Sequence, residues 1–345
     1  MAQWVLHVDL DQFIAAVEVL RRPELEGLPV VVGGRGDPTQ RGVVATASYE
    51  AREFGIGSGM PLRTALKKCP DAVFLPMDMP AYLEASEQVM AVLRSFPVVV
   101  EVLGMDEAFV GAETDEPHAL AEEIRAHILE QTGLHSSVGI GDNKLRAKIA
   151  TSFGKPRGVG QLTEEDWYDV MGDRPTIALW GIGTKTARKL AELGIETVND
   201  LARADTQLLA DRLGPRMGPW YRRLGRGADT SPVDPTPWVP RGHGRETTFQ
   251  QDLSDRAAIA EEARKLAAQV AADIEREGRP AARVGIKVRF APFFTTSRSL
   301  TLPGPTYDAT VIGEAAVELF ERIEDDRAVR LLGVRAEMLP PEGGY

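Results

Sequence analysis

The chain has 345 residues, a single cysteine (Cys69), five histidines and a formal net charge of −11 at pH 7. This length exceeds one ordinary hydrophobic core and predicts about two to four domains. One cysteine excludes an intramolecular disulfide, and no Cys-x-x-Cys pair accompanies the histidines to form a structural zinc site. The N-terminus has neither a basic segment nor an apolar run long enough to cross a bilayer, so we expect a cytoplasmic protein without a membrane partner.

The N-terminal half alternates short apolar runs with amphipathic segments, which is typical of an α/β or α+β layered fold. Strands are predicted at residues 4–10 and 28–34, at the start of 42–60, twice within 96–111 and at 135–140. Helices are predicted in the rest of 42–60 and at 80–95, 119–132 and 142–153.

The C-terminal half divides into three parts. Residues 171–226 predict several short helices, and residues 227–244 predict a semi-extended linker because they contain four prolines. Beyond the linker, two helices with apolar residues at helical spacing interrupt four predicted strands, at 245–250, 282–291, 297–302 and 330–337. This last part therefore predicts a separate α+β domain.

Positive charge is concentrated in this last domain, although the whole chain is acidic. No acidic residue lies between Glu277 and Asp308, and Arg283, Lys287 and Arg289 alternate along one predicted strand, so they share a face. The same domain also contains Arg279, Arg298, Arg330 and Arg335. A basic sheet face fits a phosphate backbone; the alternative is an ordinary solvated face.

A glycine pair precedes a basic helix in the central region. Gly181 and Gly183 flank one isoleucine, and the following segment contains Lys185 and Arg188. Glycines allow close backbone approach, and the free amides at a helix start attract anions, so the pattern predicts a helix-hairpin-helix that contacts DNA phosphates. The alternative is a simple turn between two helices.

Three carboxylates occur where predicted strands end. Asp9 lies at the end of the first strand, and Asp106 and Glu107 lie between two later strands. Oxygen ligands of this kind could hold two Mg²⁺ ions, which suits in-line attack at phosphorus. The alternative is a set of ordinary exposed turns.

Residues that suit a triphosphate accompany these acids. Thr46, Tyr49 and Arg52 recur every three residues near a predicted helix start, and Lys155 lies in a Gly-Lys-Pro turn. A hydroxyl, a phenol, a guanidinium and an ammonium could together bind the phosphates of a nucleotide.

Six segments now occur together: HVDLDQFIAAVE, VVATASYEAREFGIGSGMPL, MDEAFVG, SSVGIGDNKLRAKIATSFGKPRG, LWGIGTKTARKLAELGI and RLLGVR. Their sequence and order resemble the Y-family (DinB-type) translesion DNA polymerases over essentially the whole chain. The resemblance implies an α+β multidomain fold, a right-hand polymerase with a C-terminal little-finger α+β domain. It assigns residues 1–17 and 74–168 to the palm, 18–73 to the fingers, 169–228 to the thumb with its helix-hairpin-helix, 229–243 to the linker and 244–345 to the little finger.

The resemblance also implies residue roles. Asp9, Asp106 and Glu107 would be catalytic and would hold two Mg²⁺ or Mn²⁺ ions, with the Leu10 carbonyl as a further ligand and Asp11 as a structural acid. Val43 and Ala45 would cover the nascent base pair, and their small size would make the pocket loose and the fidelity low. The nucleotide would contact Phe13, Ile14, Thr46, Tyr49, Arg52 and Lys155. The DNA contacts would be Gly181, Gly183, Lys185, Arg188, Arg245, Arg283, Lys287, Arg289, Arg298, Arg330 and Arg335.

Three features depart from the family pattern. Ile14 stands where the family has an aromatic steric gate against the ribose 2′-OH, so we expect ribonucleotides to be used as well; the alternative is that stiff Ile14 still blocks them. Gly104-Met105 precedes the two acids where the family usually has Ser-Ile, and we expect this difference to change only the local geometry. The C-terminus lacks the family's clamp-binding peptide, so we expect a distributive enzyme that does not need a sliding clamp.

The expected activity is template-directed, low-fidelity translesion synthesis by two-metal nucleotidyl transfer of dNTPs to a primer 3′-OH. The expected partners are primer-template DNA, dNTPs and rNTPs, and the expected state is a monomer. Two other classes remain open. A catalytically inactive polymerase-like DNA-binding protein would have lost the acids, and a nucleotide cyclase would have no use for the hairpin and the basic sheet.

Overall fold

The computed structural model describes residues 2–345 and contains, within that range, twelve strands and thirteen α-helices. The strands are β1 (Ala2–Leu10), β2 (Val30–Val32), β3 (Thr46–Ala47), β4 (Val73–Leu75), β5 (Val99–Val102), β6 (Glu107–Thr114), β7 (Ser136–Gly141), β8 (Val159–Leu162), β9 (Gly242–Leu253), β10 (Ala281–Phe290), β11 (Phe294–Thr306) and β12 (Val329–Met338). The helices are α1 (Phe13–Arg21), α2 (Tyr49–Glu53), α3 (Leu62–Lys68), α4 (Met79–Arg94), α5 (Pro117–Thr132), α6 (Lys144–Gly154), α7 (Trp167–Met171), α8 (Thr184–Ala191), α9 (Val198–Arg203), α10 (Thr206–Leu213), α11 (Met217–Gly225), α12 (Arg256–Glu277) and α13 (Ala309–Glu321). No helix in these residues has the length and apolar character needed to span a membrane.

These residues form two compact units. The first consists of the segment up to Gly33, Ala45–Ser58 and Asp71–Pro237. The second consists of Gly34–Val44, Gly59–Pro70 and Trp238–Tyr345. Two segments of the predicted fingers therefore cluster with the C-terminal domain.

Strand β1 is central in the main sheet of the first unit, whose order is β5-β6-β1-β7-β8. It pairs antiparallel with β6 and β7, so Asp9 lies opposite Glu107 on one side and Ser137 on the other. Leu6, Val8 and Leu10 are buried together with residues of α1, α4 and α5. Because side chains alternate along a strand, His7 and Asp9 point to the other face.

Helix α6 lies unusually close to that other face. A Cβ atom on Gly139 of β7 would lie 2.1 Å from the Ala147 carbonyl oxygen, and one on Gly160 of β8 would lie 2.2 Å from that of Ala150. Only glycine permits backbones to approach this closely. The glycines of β7 and β8 therefore set the position of α6 over the sheet.

Two smaller assemblies complete the first unit. Strands β3, β2 and β4 form a three-stranded sheet, and the Ser48 side chain caps the start of α2 by accepting a hydrogen bond from the Ala51 amide. Helices α7 to α11 share a core around the buried Trp167, whose indole N–H donates to the Gly225 carbonyl at 2.9 Å.

The second unit has a sheet with the order β11-β10-β12-β9. Helices α12 and α13 cover one face, where Val284, Ile286, Val288 and Phe290 are buried. In the same unit, the loop around Arg41 is hydrogen-bonded to β9. The Arg41 amide donates to Gln250 Oε1 at 2.7 Å, and the Arg41 side chain pairs with Asp252.

Most predicted elements are present in the structure, with shifted ends. The helix predicted at 80–95 is α4, and Tyr82, Val89, Val92 and Leu93 are buried as its periodicity indicated. The strand predicted at 28–34 is only the three residues of β2, and β9 begins at Gly242, within the predicted linker. Helices α1, α3 and α7 and strands β4 and β8 are not predicted by the sequence pattern.

We expect Gly139→Ala to lower the free energy of unfolding by at least about 1–3 kcal/mol, because the added methyl group meets backbone atoms of α6. Urea denaturation followed by circular dichroism measures this change. Gly57→Ala is the matched control, since a Cβ atom there has no neighbour within 4 Å. Equal stability of the two variants would show that α6 is not held this close to β7.

Candidate functional site

The three predicted carboxylates lie at one end of the main sheet. Asp9 is opposite Glu107 in the β1–β6 register, and the Leu10 amide donates to the Asp106 carbonyl at 2.8 Å. The backbone bond holds the turn before β6 against the end of β1. Sheet pairing therefore brings together acids that are almost 100 residues apart in the chain.

Two basic side chains contact Glu107. His7 Nε2 lies 3.2 Å from Glu107 Oε2, and Lys148 of α6 pairs with the same oxygen. Burial by itself raises the pKa of Glu107, but the hydrogen bonds from His7 and Lys148 and the charge of Lys148 outweigh it and lower the pKa to about 2. Glu107 is therefore an anion at neutral pH.

The other two acids have different surroundings. Burial, together with the negative charges of Asp9 and Glu107, raises the pKa of Asp106 above its ordinary value. Lys155, which follows α6, pairs with Asp9 Oδ1. The predicted nucleotide lysine is thus in contact with a predicted metal ligand.

This arrangement fits a divalent cation. Ligand atoms of His7, Asp9 and Glu107 lie within 4.8 Å of one another, and Asp106 is adjacent in the chain. Burial is the main cause of the raised pKa of Asp106, and the charges of Asp9 and Glu107 add to it; a bound cation would relieve this repulsion. Carboxylate oxygens are ligands that Mg²⁺ and Mn²⁺ accept, whereas His7 Nε2 is already in contact with Glu107 Oε2 at 3.2 Å and Lys148 Nζ at 3.1 Å.

Asp11 is buried and bound by protein donors only. It accepts hydrogen bonds from Ser137 Oγ at 2.8 Å, Tyr49 Oη at 2.9 Å and the Arg157 amide at 2.8 Å. Gln12, in the left-handed region with φ 46°, accepts from the Tyr49 amide through Oε1 at 2.5 Å. Asp11 and Gln12 therefore anchor the start of α2 to the end of β1.

The predicted nucleotide residues surround this anchor. The Arg52 guanidinium lies 4.9 Å from the centre of the Tyr49 ring, and Arg52 Nε donates to the Ala47 carbonyl at 3.0 Å. Burial and the neighbouring Asp11 raise the pKa of Tyr49, so its phenol stays neutral. Thr46 lies in β3, just before α2, rather than within the helix.

The remaining nucleotide and base-pair residues range from buried to exposed. Phe13 and Ile14 begin α1; Phe13 is buried, and Ile14 is half-buried against the core. Ala45 is half-buried in the first unit, and its amide donates to Val32. Val43 is 55% exposed in the second unit.

The glycine pair lies in the hairpin that the sequence predicts. Gly181 has a φ of 94°, a left-handed conformation that favours glycine, and Gly183 immediately precedes α8. No side chain caps this helix start, and Lys185 and Arg188 are exposed. The first amides of α8 thus remain accessible to an anion.

The open face of the C-terminal sheet carries Arg283, Lys287 and Arg289, on the side away from the helices. Arg335 shares this face, because it lies opposite Gly285. Two acids that the sequence analysis did not place there also occupy it. Glu246 pairs with Lys287 at 2.7 Å, and Glu337 lies opposite Arg283. The face is therefore less positive than the strand pattern indicated.

Two of the predicted DNA contacts point to the opposite face. Arg245 lies opposite Val334, and its guanidinium donates two hydrogen bonds to Asp273 of α12, at 2.6 and 2.8 Å. Arg298 lies opposite Ile286. Directly opposed residues share a face, so both arginines belong to the helix-covered side. Arg330 lies in an irregularity of β12, with its guanidinium 4.7 Å from the Phe293 ring centre.

Three family models match the chain. The impB/mucB/samB family matches residues 8–152, its C-terminal domain matches 240–345, and the thumb domain of DNA polymerase-iota matches 178–229. DNA polymerase IV 2 of Mycobacterium tuberculosis is 49% identical over 340 residues, covering 97% of this chain and 98% of its own. DNA polymerase IV of Methanoculleus marisnigri is 40% identical over 347 residues, covering 99% and 95%.

Solved structures give the same relationship. A Y-family DNA polymerase chimera of Dbh and Dpo4 superposes with a TM-score of 0.87 at 27% identity, covering 97% of this chain and 98% of its own. The insertion ternary complex of Dbh DNA polymerase superposes with a TM-score of 0.68 at 28% identity, covering 97% and 99%. The chain belongs to the Y-family DNA polymerases of the DinB type.

This DinB-type protein is a DNA-directed DNA polymerase, a nucleotidyltransferase, as the sequence predicts. The predicted fold class is also confirmed: an α+β multidomain right-hand polymerase with palm, fingers and thumb and a C-terminal little-finger domain.

The residues that hold the polymerase's acids in place are not evident from the sequence alone. His7 and Asp9 are two residues apart on β1, which puts them on one face, and Lys148 and Thr151 are three apart on α6. That spacing is a usable signal within each element. It does not show that the two elements face each other.

We expect Asp11→Asn to destabilise the polymerase by about 1–3 kcal/mol, because an amide cannot accept every hydrogen bond that this buried carboxylate accepts. Thermal unfolding measures the loss. Tyr49→Phe, which removes one of those bonds, is expected to cost about 1 kcal/mol and to add little to the Asp11→Asn variant. Full additivity of the two substitutions would contradict the proposed anchor.

Proposed function

We propose that this polymerase performs low-fidelity translesion synthesis by two-metal nucleotidyl transfer, and that it uses ribonucleotides as well as deoxyribonucleotides. The observation that carries the proposal is the cluster of Asp9, Asp106 and Glu107 beside the anchored Tyr49. A negatively charged site that would bind cations thus lies next to phenol and guanidinium groups that suit phosphates.

Asp9, Asp106 and Glu107 would hold two Mg²⁺ or Mn²⁺ ions, with the Leu10 carbonyl as a further ligand. Bound there, the ions would lower the pKa of the attacking hydroxyl and neutralise the leaving pyrophosphate. His7 and Lys148 keep Glu107 ionised and oriented. The working metal is thus expected to bind a carboxylate that needs no deprotonation at neutral pH.

The chain's own cations would orient the triphosphate. Lys155 contacts Asp9, so its ammonium already lies where phosphates and carboxylates would meet. Tyr49 and Arg52 are held by Asp11, Gln12 and the Ala47 carbonyl, and a restrained donor loses less entropy on binding. Thr46 would add its hydroxyl from β3.

Ile14 would be the steric gate, with Phe13 buried behind it in the first turn of α1. An isoleucine presents less area to the sugar than an aromatic ring, so the clash with a ribose 2′-OH is weaker. Because Val43 and Ala45 would cover the nascent pair with small side chains, shape would discriminate poorly between correct and damaged bases.

Primer-template DNA would be held at two places. Gly181, Gly183, Lys185 and Arg188 would contact phosphates in the thumb, residues 169–228. Within the little finger, residues 244–345, the open sheet face would contribute Arg283, Lys287, Arg289 and Arg335, with Arg330 at its end. Arg245 and Arg298 are left out because of their register. For the palm, fingers and linker we propose the bounds predicted from the sequence. We also propose that the enzyme is monomeric and cytoplasmic and that it does not need a sliding clamp.

We expect Asp106→Asn to lower the rate of primer extension by at least about a thousandfold, because it removes a charge that the reaction needs. Single-nucleotide extension of a primed DNA template with Mg²⁺ or Mn²⁺ measures this, and a gel-shift assay checks that DNA still binds. Glu130→Gln, at an exposed carboxylate of α5, is the control and should extend normally. Undiminished extension by Asp106→Asn would refute the assignment of the site.

We expect Ile14→Tyr to increase the preference for a dNTP over its matched rNTP by about a hundredfold, on the order of 3 kcal/mol, because it restores an aromatic gate. The measurement is kcat/KM for both nucleotides in the wild type and the variant. Ile14→Leu keeps an aliphatic gate and should leave the preference nearly unchanged. A wild-type preference above about 10⁴ would show that Ile14 already excludes the 2′-OH.

A further inference from the structure

Two consecutive phenylalanines, at the end of the β10–β11 turn and at the start of β11, are exposed. Phe293 is 65% exposed and Phe294 is 52% exposed, whereas Phe290 at the end of β10 is buried. Phe290 therefore already supplies the hydrophobic contact of this hairpin with its core. We call Phe293 and Phe294 the aromatic tip. An exposed apolar pair of this kind is typical of a binding surface.

Guanidinium groups from three positions surround the aromatic tip. Arg330 and Arg289 lie 4.7 and 5.6 Å from the centre of the Phe293 ring, and Arg327 lies 4.5 Å from that of Phe294. Arg327 is also paired with Asp325 at 2.6 Å, so one of the three charges is compensated. The tip thus combines exposed apolar rings with positive charge. The uncompensated charge lies beside Phe293, because Phe294 is opposite the buried Phe290 and contacts the paired Arg327.

This combination fits single-stranded nucleic acid. Bases stack on aromatic side chains without regard to sequence, and neighbouring arginines attract the phosphates. In a duplex, adjacent base pairs cover the faces of the bases, so a ring at a hairpin turn has access to them only where the strand is unpaired. An apolar peptide would match the rings but would leave the arginines without a counter-charge.

We propose that the aromatic tip stacks on unpaired bases of the template strand. This inference rests on the proposed function, in which the little finger holds primer-template DNA. The template beyond the primer terminus is the single-stranded DNA that such a substrate presents. The tip would add affinity for it without reading its sequence.

The experiment measures the affinity of the full chain for three fluorescent DNAs by anisotropy. One is a blunt duplex, the second carries a six-nucleotide 5′ template overhang, and the third carries an abasic overhang of equal length. The abasic DNA keeps the phosphates and removes the bases. We expect the wild type to bind the overhang about tenfold more tightly than the abasic DNA.

The double variant Phe293→Ala/Phe294→Ala is expected to lose that tenfold difference while its affinities for blunt and abasic DNA change less than twofold. Phe293→Leu/Phe294→Leu keeps apolar bulk without a ring, and should lose it too. Tyr307→Ala, at an exposed aromatic after β11, is the control and should behave as wild type.

Two results would overturn the inference: equal wild-type affinity for the base-containing and abasic overhangs, or variants that retain the difference. In both cases the duplex contacts of the proposed function would stand. Failure of the wild type to bind even the blunt duplex would instead refute the proposed DNA grip, together with the inference that depends on it.

Discussion

Repulsion among Asp9, Asp106 and Glu107 is the constraint around which the first unit is organised. Pairing of β1 with β6 brings these carboxylates together, and burial together with the charges of Asp9 and Glu107 raises the pKa of Asp106. Such a cluster is tolerated only where positive charge is supplied. In this polymerase Lys148 and Lys155 supply part of that positive charge, and bound metal ions would supply the rest.

The helix that carries these lysines explains why the sheet contains glycines. Lys148 lies on α6 and Lys155 follows it directly, so both depend on the position of that helix. The Cβ-free positions Gly139 and Gly160 let α6 lie against the strands closely enough for both side chains to reach the acids. The position of α6 therefore determines both the packing against the sheet and the charge balance at the site.

Asp11 and Asp9 show how two acids of one motif take different roles. Asp9 lies next to the end of β1 and pairs with the ammonium of Lys155, whereas Asp11 lies beyond the strand and accepts hydrogen bonds from Ser137, Tyr49 and a backbone amide. A carboxylate whose lone pairs are filled by protein donors is a structural element. One that pairs with a single lysine keeps lone pairs for a further ligand.

The C-terminal sheet has an apolar face that packs on the helices and an open face that carries basic side chains. Alternation along β10 puts the apolar residues against α12 and α13 and the basic residues on the open side, so a domain of a chain with a net charge of −11 can still present cations. The separation is incomplete because Glu246 pairs with Lys287. Local charge, and not the total, decides whether this surface suits a polyanion.

The sequence by itself determined the elements with strong periodicity, such as α4 and α12, and the motifs by which the DinB-type resemblance was recognised. Hydrophobic period and motif spacing are local properties of the chain, so they can be inferred without a structure. The family assignment and the fold class followed from them.

Tertiary structure alone decided which residues face each other. Strand register put Arg245 and Arg298 on the helix-covered face and Glu246 on the basic one, and sequence spacing could not show this because register depends on partner strands. The same holds for His7, Lys148 and Asp11. Their roles come from contacts between segments more than 100 residues apart, and only the packed sheet and helix bring these together.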